Sequence, residues 1–241
     1  MAPSVVGILG GSALADVFPL AEERAEFLVT PHGAPSDPPR IGTVGERKVV
    51  FLPRHGKEHR IPPHKLNHRA NVWALKEIGA TSILATASTG SLKRAIRPGD
   101  FVVPDDFVSF WTIPTFHDDR VVHATPGLDE NLRSVLVRAA RAEGATARYR
   151  GVYVQTTGPR LETRAEIAFF RNIGDVVGMT MASEATLASE LGIPYACLCT
   201  VDNYCNGIIA EPLTFDRIRD TQRRNADLTR KIIARAVGMV P

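Results

Sequence analysis

Short apolar runs that alternate with helical segments are the feature that most constrains the fold of this chain. Strand-like runs bounded by glycine, proline or polar residues occupy 4–9, 48–52, 82–86, 101–103, 151–156, 176–177 and 195–201. Helical spacing of apolar residues follows over 65–78, 128–143, 163–172, 183–190 and 214–237. This alternation is typical of an α/β domain. We therefore predict one domain over residues 1–241, with a mixed, mostly parallel central β-sheet flanked by helices.

Composition and charge narrow the class of protein. The 241 residues are 44% hydrophobic, enough to bury a full core. The formal net charge is only +3, and no long block of like charges occurs, so we do not expect a nucleic-acid partner. The basic stretch 217–224 contains Asp220 and is interpreted as a solvated helix face.

The cysteines and the apolar runs bear on the cellular compartment. The sequence has neither a signal-peptide pattern nor an apolar run of about 18 residues, so no membrane association is expected. The three cysteines are Cys197, Cys199 and Cys205, an odd number without a Cys-x-x-Cys pair. Together with the unpatterned histidines they predict a cytoplasmic protein without a metal site.

Polar clusters follow several of the predicted strands, where ligands of α/β sheets gather. Ser12 follows the first strand, and Arg54 and His55 follow the second. A guanidinium can bind a phosphate-like anion through two parallel hydrogen bonds. Ser88, after the third strand, and Thr180 add hydroxyl groups. These residues predict an anion site, although a plain tight turn is the alternative for the glycines before Ser12.

Glu162 and Asn203 follow two further strands and suit the face of a 6-oxopurine. A carboxylate accepts from the purine N1–H, while an Asn amide can accept and donate at once, as O6 and N7 require. The alternative for Glu162 is a cap at the start of the next helix. We expect both residues to be catalytic groups at the base.

No cofactor fingerprint accompanies these groups. The glycines at positions 10 and 11 match neither a dinucleotide-binding nor a Walker A loop. No nucleophile with a matching base can be assembled. We therefore predict that no cofactor is used and that the bound, phosphate-like anion is itself the nucleophile and co-substrate.

The chain resembles the trimeric purine nucleoside phosphorylase and methylthioadenosine phosphorylase family along nearly its whole length. The motifs that carry the resemblance are Gly7 to Ser12, Arg54-His55-Gly56, Pro62 to Asn71, Gly90-Ser91-Leu92, Pro98-Gly99-Asp100, Gly158-Pro159-Arg160, Glu162-Thr163, Gly178-Met179-Thr180 and Glu184.

This resemblance implies phosphorolysis of a purine nucleoside on the nucleoside phosphorylase fold. The phosphate would be held by Ser12, Arg54, His55, Ser88 and Thr180. Leu161, Glu162 and Asn203 would surround the base, and Met179 would lie along the ribose. The family implies a homotrimer with active sites at subunit interfaces, where His123 resembles the residue that a neighbour lends to the 5' end of the substrate.

The choice of substrate depends on positions where the family divides. Methylthioadenosine phosphorylases carry Ser at the place of Glu162 and Asp at the place of Asn203, so the base is expected to be a 6-oxopurine. Leu213, Phe215 and Ile218 replace a His near the start of the last helix and resemble the apolar 5' pocket of methylthio-nucleoside enzymes. We therefore predict S-methyl-5'-thioinosine as substrate.

Several alternatives stay open from the sequence. The enzyme is alternatively a general inosine and guanosine phosphorylase or a methylthioadenosine phosphorylase, and core packing is the alternative for Phe215 and Ile218. A hydrolase and a nucleoside sensor are further readings. The chain departs from the family pattern at four places, which are Ala13, the segment 87–89, Asp202 and Cys205.

Overall fold

The computed structural model describes residues 4–12, 14, 18–111 and 113–241, so Ala13 lies outside the described residues. The strands within them are β1 (Val5–Gly10), β2 (Ala21–Ala25), β3 (Arg40–Val44), β4 (Arg47–Pro53), β5 (Ser82–Ser91), β6 (Phe101–Val102), β7 (Asp106–Ser109), β8 (Ala147–Arg148), β9 (Val152–Gln155), β10 (Val176–Gly178) and β11 (Tyr195–Tyr204). The helices are α1 (His68–Glu77), α2 (Glu130–Ala142), α3 (Arg164–Phe170), α4 (Met181–Glu190) and α5 (Phe215–Met239).

All of these strands belong to one sheet that is centred on β5. The order is β2-β3-β4-β1-β5-β10-β9-β7, and β11, β6 and β8 branch from β5. β5 runs parallel to β1 and β11, while its last residues pair antiparallel with β10. The mixed, mostly parallel sheet predicted from the sequence is confirmed.

Helices cover both faces of the sheet. Along β1, Val5 and Leu9 pack into one apolar cluster with α1 and α4, whereas Val6 and Ile8 pack into a second cluster with α2 and α5. Side chains alternate between the two faces of a strand, so a strand buried on both faces must be apolar throughout. This explains why the central strands appear in the sequence as continuous apolar runs.

β5 and β11 extend further than their apolar residues predict. β5 continues through Ser91 and β11 through Tyr204, since the two strands pair along their whole length. The backbone pairing satisfies the N–H and C=O groups, so polar side chains do not end the strands. Ser88 therefore lies within β5 and Asn203 within β11. This corrects the expectation from the sequence that both residues follow the end of a strand.

The remaining differences lie in short or polar elements. The sequence did not predict β2, β3, β7 or β8; β2 is fully exposed, so it lacks an apolar pattern. α1 begins later than predicted, because the Asn67 side chain caps it by accepting from the backbone N–H of Ala70. None of the described helices is long and apolar enough to cross a membrane.

Candidate active site

A cavity of about 480 Å³ lies where β1, β4, β5, β10 and β11 end. It collects nearly all of the site residues predicted from the sequence: Ser12, Arg54, His55, Ser88, Leu161, Glu162, Met179, Thr180, Asn203, Phe215 and Ile218. His123 is exposed and does not line the cavity of the single chain. Its predicted role toward a neighbouring subunit remains a prediction.

Arg54 is buried at one end of this cavity and is held by Glu184. Its Nε and Nη2 donate to the two carboxylate oxygens of Glu184, with Nη2 at 2.8 Å from Oε2. Its Nη1 donates to the Thr86 carbonyl at 2.7 Å. Burial lowers the pKa of Arg54, but the charge and hydrogen bonds of Glu184 outweigh it and leave the pKa raised. The sequence assigned two parallel bonds from Arg54 to phosphate, whereas in this structure that pair of bonds goes to Glu184.

His55 lies next to Arg54 and is a neutral imidazole. Burial, with smaller contributions from His59 and Arg54, lowers the pKa of His55 to about 3. Its Nδ1 lies 2.8 Å from the Ile61 carbonyl, which can only accept, so the ring proton sits on Nδ1. The Nε2 atom is then an acceptor at neutral pH.

Small residues allow the first strand to approach this end of the cavity. A Cβ atom on Gly11 would lie 2.6 Å from Nη1 of Arg54 and 2.5 Å from the Thr86 carbonyl oxygen. Glycine is therefore required there, and Ser12 follows it at the cavity wall. On the other side Thr180 precedes α4, and its side chain makes no capping hydrogen bond to that helix.

Ser88 takes part in a chain of hydrogen bonds behind the cavity wall. Its hydroxyl donates to Oδ2 of Asp202 and accepts from Nε2 of Gln222 at 2.9 Å. Asp202 is 1% exposed, and burial raises its pKa to about 6 although the hydrogen bond from Ser88 opposes the rise. The sequence placed Ser88 on phosphate, yet its hydroxyl proton is engaged with Asp202.

Glu162 is buried among a second group of cavity residues. Its Oε1 accepts from the Thr156 hydroxyl at 2.7 Å, and its backbone carbonyl accepts from Asn206 at 2.8 Å. The cap of α3 is formed by Thr163 and Glu166 through reciprocal hydrogen bonds. Glu162 is thus not the cap of that helix, and its carboxylate lines the cavity.

Asn203 also lines the cavity and follows an irregularity in β11. The pairing with β5 shifts between Val201 and Asn203, so Asp202 is an additional residue in the strand. Such a bulge redirects the side chains that follow it. A Cβ atom on Gly90 would lie 3.0 Å from Nδ2 of Asn203, so the small residue leaves room for the amide. Asn203 Nδ2 donates to its neighbour Tyr204 at 3.0 Å.

Apolar side chains form a further part of the cavity wall. Met179 and Leu161 line it together with Leu213, Phe215 and Ile218. Phe215 is 67% exposed and Ile218 is buried. Phe215 is therefore not a core residue, which removes core packing as the explanation for its apolar character.

The cavity lining also contains polar residues that were not assigned to the site from the sequence, among them His59, Asn206, Arg219 and Gln222. Gln222 and Arg219 lie in the stretch that was interpreted as a solvated face. Helical spacing places Ile218 and Gln222, four residues apart, on one side of α5, and this spacing was the signal available. Among the described residues, no group of three or more His, Cys, Asp or Glu side chains is arranged to hold a metal ion.

The family model of the Phosphorylase superfamily matches residues 5–238. The chain belongs to this superfamily. The resemblance drawn from the sequence, and the expectation that the chain is a nucleoside phosphorylase, are confirmed.

Two curated relatives illustrate the similarity to members of the superfamily. The chain is 39% identical over 237 residues to the probable 6-oxopurine nucleoside phosphorylase of Archaeoglobus fulgidus, covering 98% of this chain and 97% of the relative. It is 44% identical over 223 residues to the probable S-methyl-5'-thioinosine phosphorylase of Methanothermobacter thermautotrophicus, covering 89% and 76%.

A solved structure has the same fold. It is the methylthioadenosine phosphorylase from Schistosoma mansoni in complex with adenine, with a TM-score of 0.89 and 35% identity. The match covers 98% of this chain and 91% of that chain. The predicted nucleoside phosphorylase fold is confirmed.

Proposed function

We propose that this phosphorylase converts a 6-oxopurine nucleoside and phosphate into the free base and a ribose-1-phosphate, with S-methyl-5'-thioinosine as preferred substrate. The observation that carries the proposal is that Glu162 and Asn203 line the same cavity as the polar groups of Ser12, Arg54 and Thr180. A base and an anion bound there would lie on either side of one sugar. The names of the curated relatives support this assignment.

The reaction exchanges one bond for another at C1' of the ribose. A phosphate oxygen forms the new bond to C1' as the bond from C1' to N9 breaks, and its electron pair goes to the purine. Phosphate held beneath C1' stabilises the positive charge of the sugar and is already in position to attack. Ser12, Arg54, His55, Ser88 and Thr180 are the residues that we assign to this phosphate.

The departing purine gains negative charge, and Asn203 is placed to stabilise it. An amide N–H donated to N7 contributes about 2.7–4 kcal/mol by analogy with a single oxyanion donor. Glu162 accepts from N1–H, which is present in a 6-oxopurine and absent from adenine. Because Glu162 is buried, a base that cannot donate to it leaves the carboxylate one hydrogen bond short, with the Thr156 hydroxyl still donating to Oε1.

The apolar wall supports a methylthio group at the 5' position. Phe215 is exposed in the cavity mouth, and Leu213 and Ile218 lie beside it. Burying one CH₂-sized group there contributes about 0.8 kcal/mol, whereas a 5'-hydroxyl would lose its hydrogen bonds to water. S-methyl-5'-thioinosine is therefore preferred over inosine and guanosine.

We further propose a cytoplasmic homotrimer with active sites at its subunit interfaces. Support comes from exposed apolar side chains, namely Phe110, Trp111, Val121, Val122 and Phe169. Phe110, Trp111 and Phe169 cluster with Phe170. His123 adjoins Val121 and Val122, so a subunit packed on this surface would bring His123 toward a neighbour. Sedimentation equilibrium should give three times the mass of the chain, and a monomer would contradict this part of the proposal.

A substrate panel tests the assignment. S-methyl-5'-thioinosine, inosine, guanosine and methylthioadenosine are compared by release of free base, with and without phosphate. We expect phosphate-dependent release with S-methyl-5'-thioinosine giving the highest kcat/KM. Inosine or guanosine in first place would retain the base assignment and overturn the role of Phe215, and methylthioadenosine in first place would overturn the roles of Glu162 and Asn203.

A further inference from the structure

Asp202 is a buried carboxyl group that the proposed reaction does not use. It is the additional residue of the bulge in β11 and is 1% exposed. Its Oδ2 accepts from Ser88, while its Oδ1 has no hydrogen-bond partner among the described residues. A buried carboxylate with one unpaired oxygen is costly when it is charged.

The hydrogen bonds of Ser88 fix the direction of its only hydroxyl proton. The proton is directed to Asp202, and the oxygen accepts from Nε2 of Gln222 at 2.9 Å. The Nε2 atom of Gln222 can only donate, so the Ser88 oxygen is the acceptor in that hydrogen bond and the Ser88 proton is left for Asp202. Ser88 lines the cavity and, in this arrangement, offers a lone pair there and not a proton.

A phosphate dianion next to Ser88 would meet two obstacles. It would find no donor on the hydroxyl, and it would be separated from the charge of Asp202 by a single oxygen atom. A proton on Asp202 removes both obstacles. It neutralises the carboxylate, and the carboxylic acid then donates to Ser88, so that the hydroxyl proton of Ser88 turns toward the anion. Burial raises the pKa of Asp202 to about 6, so this protonation is accessible near neutral pH.

We propose that Asp202 is a positioning residue that sets the direction of the Ser88 hydroxyl, so that the cavity binds its phosphate together with one proton. The proton comes from solvent and adds to the carboxylate; no other bond forms or breaks. This inference rests on the proposed phosphate site. It adds that the affinity for the anion falls as pH rises, through a residue that does not touch the anion.

Other titratable and charged groups lie near Asp202. They come from its own strand, from the segment before α5 and from α5: Cys199, Glu211, Arg217, Asp220 and Arg224. Apart from Cys199, they line an adjoining pocket of about 310 Å³, on whose wall Asp202 and Asn203 also lie. Asp220 on the wall of this pocket provides a matched control for Asp202. It is also an aspartate, but it is exposed and pairs with Arg223.

Sulfate inhibition tests the inference because sulfate has the shape of phosphate and stays a dianion between about pH 5.5 and 8.0. Its inhibition constant against phosphate then reports the protonation of the protein alone. For the wild type we expect the constant to rise toward tenfold per pH unit above the pKa of Asp202. In Asp202→Asn, where the amide can donate to Ser88 at every pH, we expect a change of less than about twofold.

Two further variants distinguish a positioning role of Asp202 from a general loss of structure. Asp220→Asn should keep the wild-type profile. Ser88→Ala should bind sulfate about tenfold more weakly than the wild type at pH 5.5 and equally at pH 8.0, where the wild-type hydroxyl no longer donates to the anion. Asp202→Asn is isosteric, and its fold can be checked by its melting curve.

Opposite results would overturn the inference. These are a flat profile for the wild type, an equally steep profile for Asp202→Asn, or an equal loss for Ser88→Ala at both pH values. The failure of the proposed function is distinguishable, since it would show as a wild type that releases no base in a phosphate-dependent way from any of the four nucleosides.

Discussion

Two groups of cavity residues differ in how far their polar groups are already engaged. In the group that we assign to phosphate, here called the phosphate end, Arg54 is held by Glu184, His55 by the Ile61 carbonyl and Ser88 by Asp202. In the group that we assign to the base, here called the base end, the Glu162 carboxylate has a hydroxyl partner in Thr156 and retains acceptor capacity.

This difference corresponds to what each end would recognise in the proposed reaction. Phosphate is the same in every turnover, so its site can be built from groups that the protein orients in advance. The base and the 5' group distinguish one nucleoside from another, so selectivity depends on a few side chains with capacity left for the substrate. Substitutions at the phosphate end should therefore alter stability and phosphate affinity, and those at the base end should alter substrate choice.

The largest effect is expected for Glu184→Gln at the phosphate end. It leaves the buried guanidinium of Arg54 without its charged partner, which costs about 3–5 kcal/mol and lowers Tm by about 6–20 °C. The matched control is Asp227→Asn, which removes an exposed pair with Arg230 and should cost at most about 1 kcal/mol. Equal melting temperatures for the two variants would show that the Arg54 pair does not organise the site.

Next in size is Glu162→Ala at the base end. Losing the acceptor for N1–H should lower kcat/KM for S-methyl-5'-thioinosine by about 10²–10³-fold, with the KM for phosphate unchanged. Initial rates at varied phosphate measure both quantities. Glu166→Ala, which disrupts the neighbouring helix cap, should affect stability only; a loss of activity as large as that of Glu162→Ala would assign both residues to structure.

Asn203→Asp should change the choice of base. A carboxylate accepts from a 6-amino group but cannot donate to N7, so the ratio of kcat/KM for methylthioadenosine to that for S-methyl-5'-thioinosine should rise by about 10²-fold. Asn203→Ala should weaken both substrates without this change of ratio. An unchanged ratio in Asn203→Asp would remove Asn203 from base recognition.

The smallest effect is expected at the apolar part of the cavity wall. Phe215→Ser should lower kcat/KM for S-methyl-5'-thioinosine by about tenfold and leave inosine nearly unaffected. Phe27→Ser is the control, since Phe27 is also exposed and does not line the cavity. If inosine falls as far as S-methyl-5'-thioinosine, the pocket does not select the 5' group.

Much of the fold was predictable because the central strands are buried on both faces. Their apolar runs identify β1, β4 and β5, and the polar residues after β1 and β4 mark one edge of the sheet. Since parallel strands bring those residues to the same edge, the sequence predicted that Ser12 and Arg54 would meet.

The partners of these residues were not predictable in the same way. Arg54 and Glu184 are 130 positions apart, and their contact depends on how α4 packs on the sheet. The contact between Ser88 and Asp202 depends on the bulge in β11, which no residue pattern indicates. Gln222 lies in a polar stretch, where helical spacing alone does not tell a cavity wall from a solvated face.

Product analysis by phosphorus NMR distinguishes phosphate from water as the nucleophile. Wild-type protein is incubated with S-methyl-5'-thioinosine and inorganic phosphate, while free hypoxanthine is measured in the same sample. We expect a new sugar phosphate ester that accumulates in equal amount to hypoxanthine as inorganic phosphate declines. Hypoxanthine released without loss of inorganic phosphate would identify water as the nucleophile and rule out phosphorolysis.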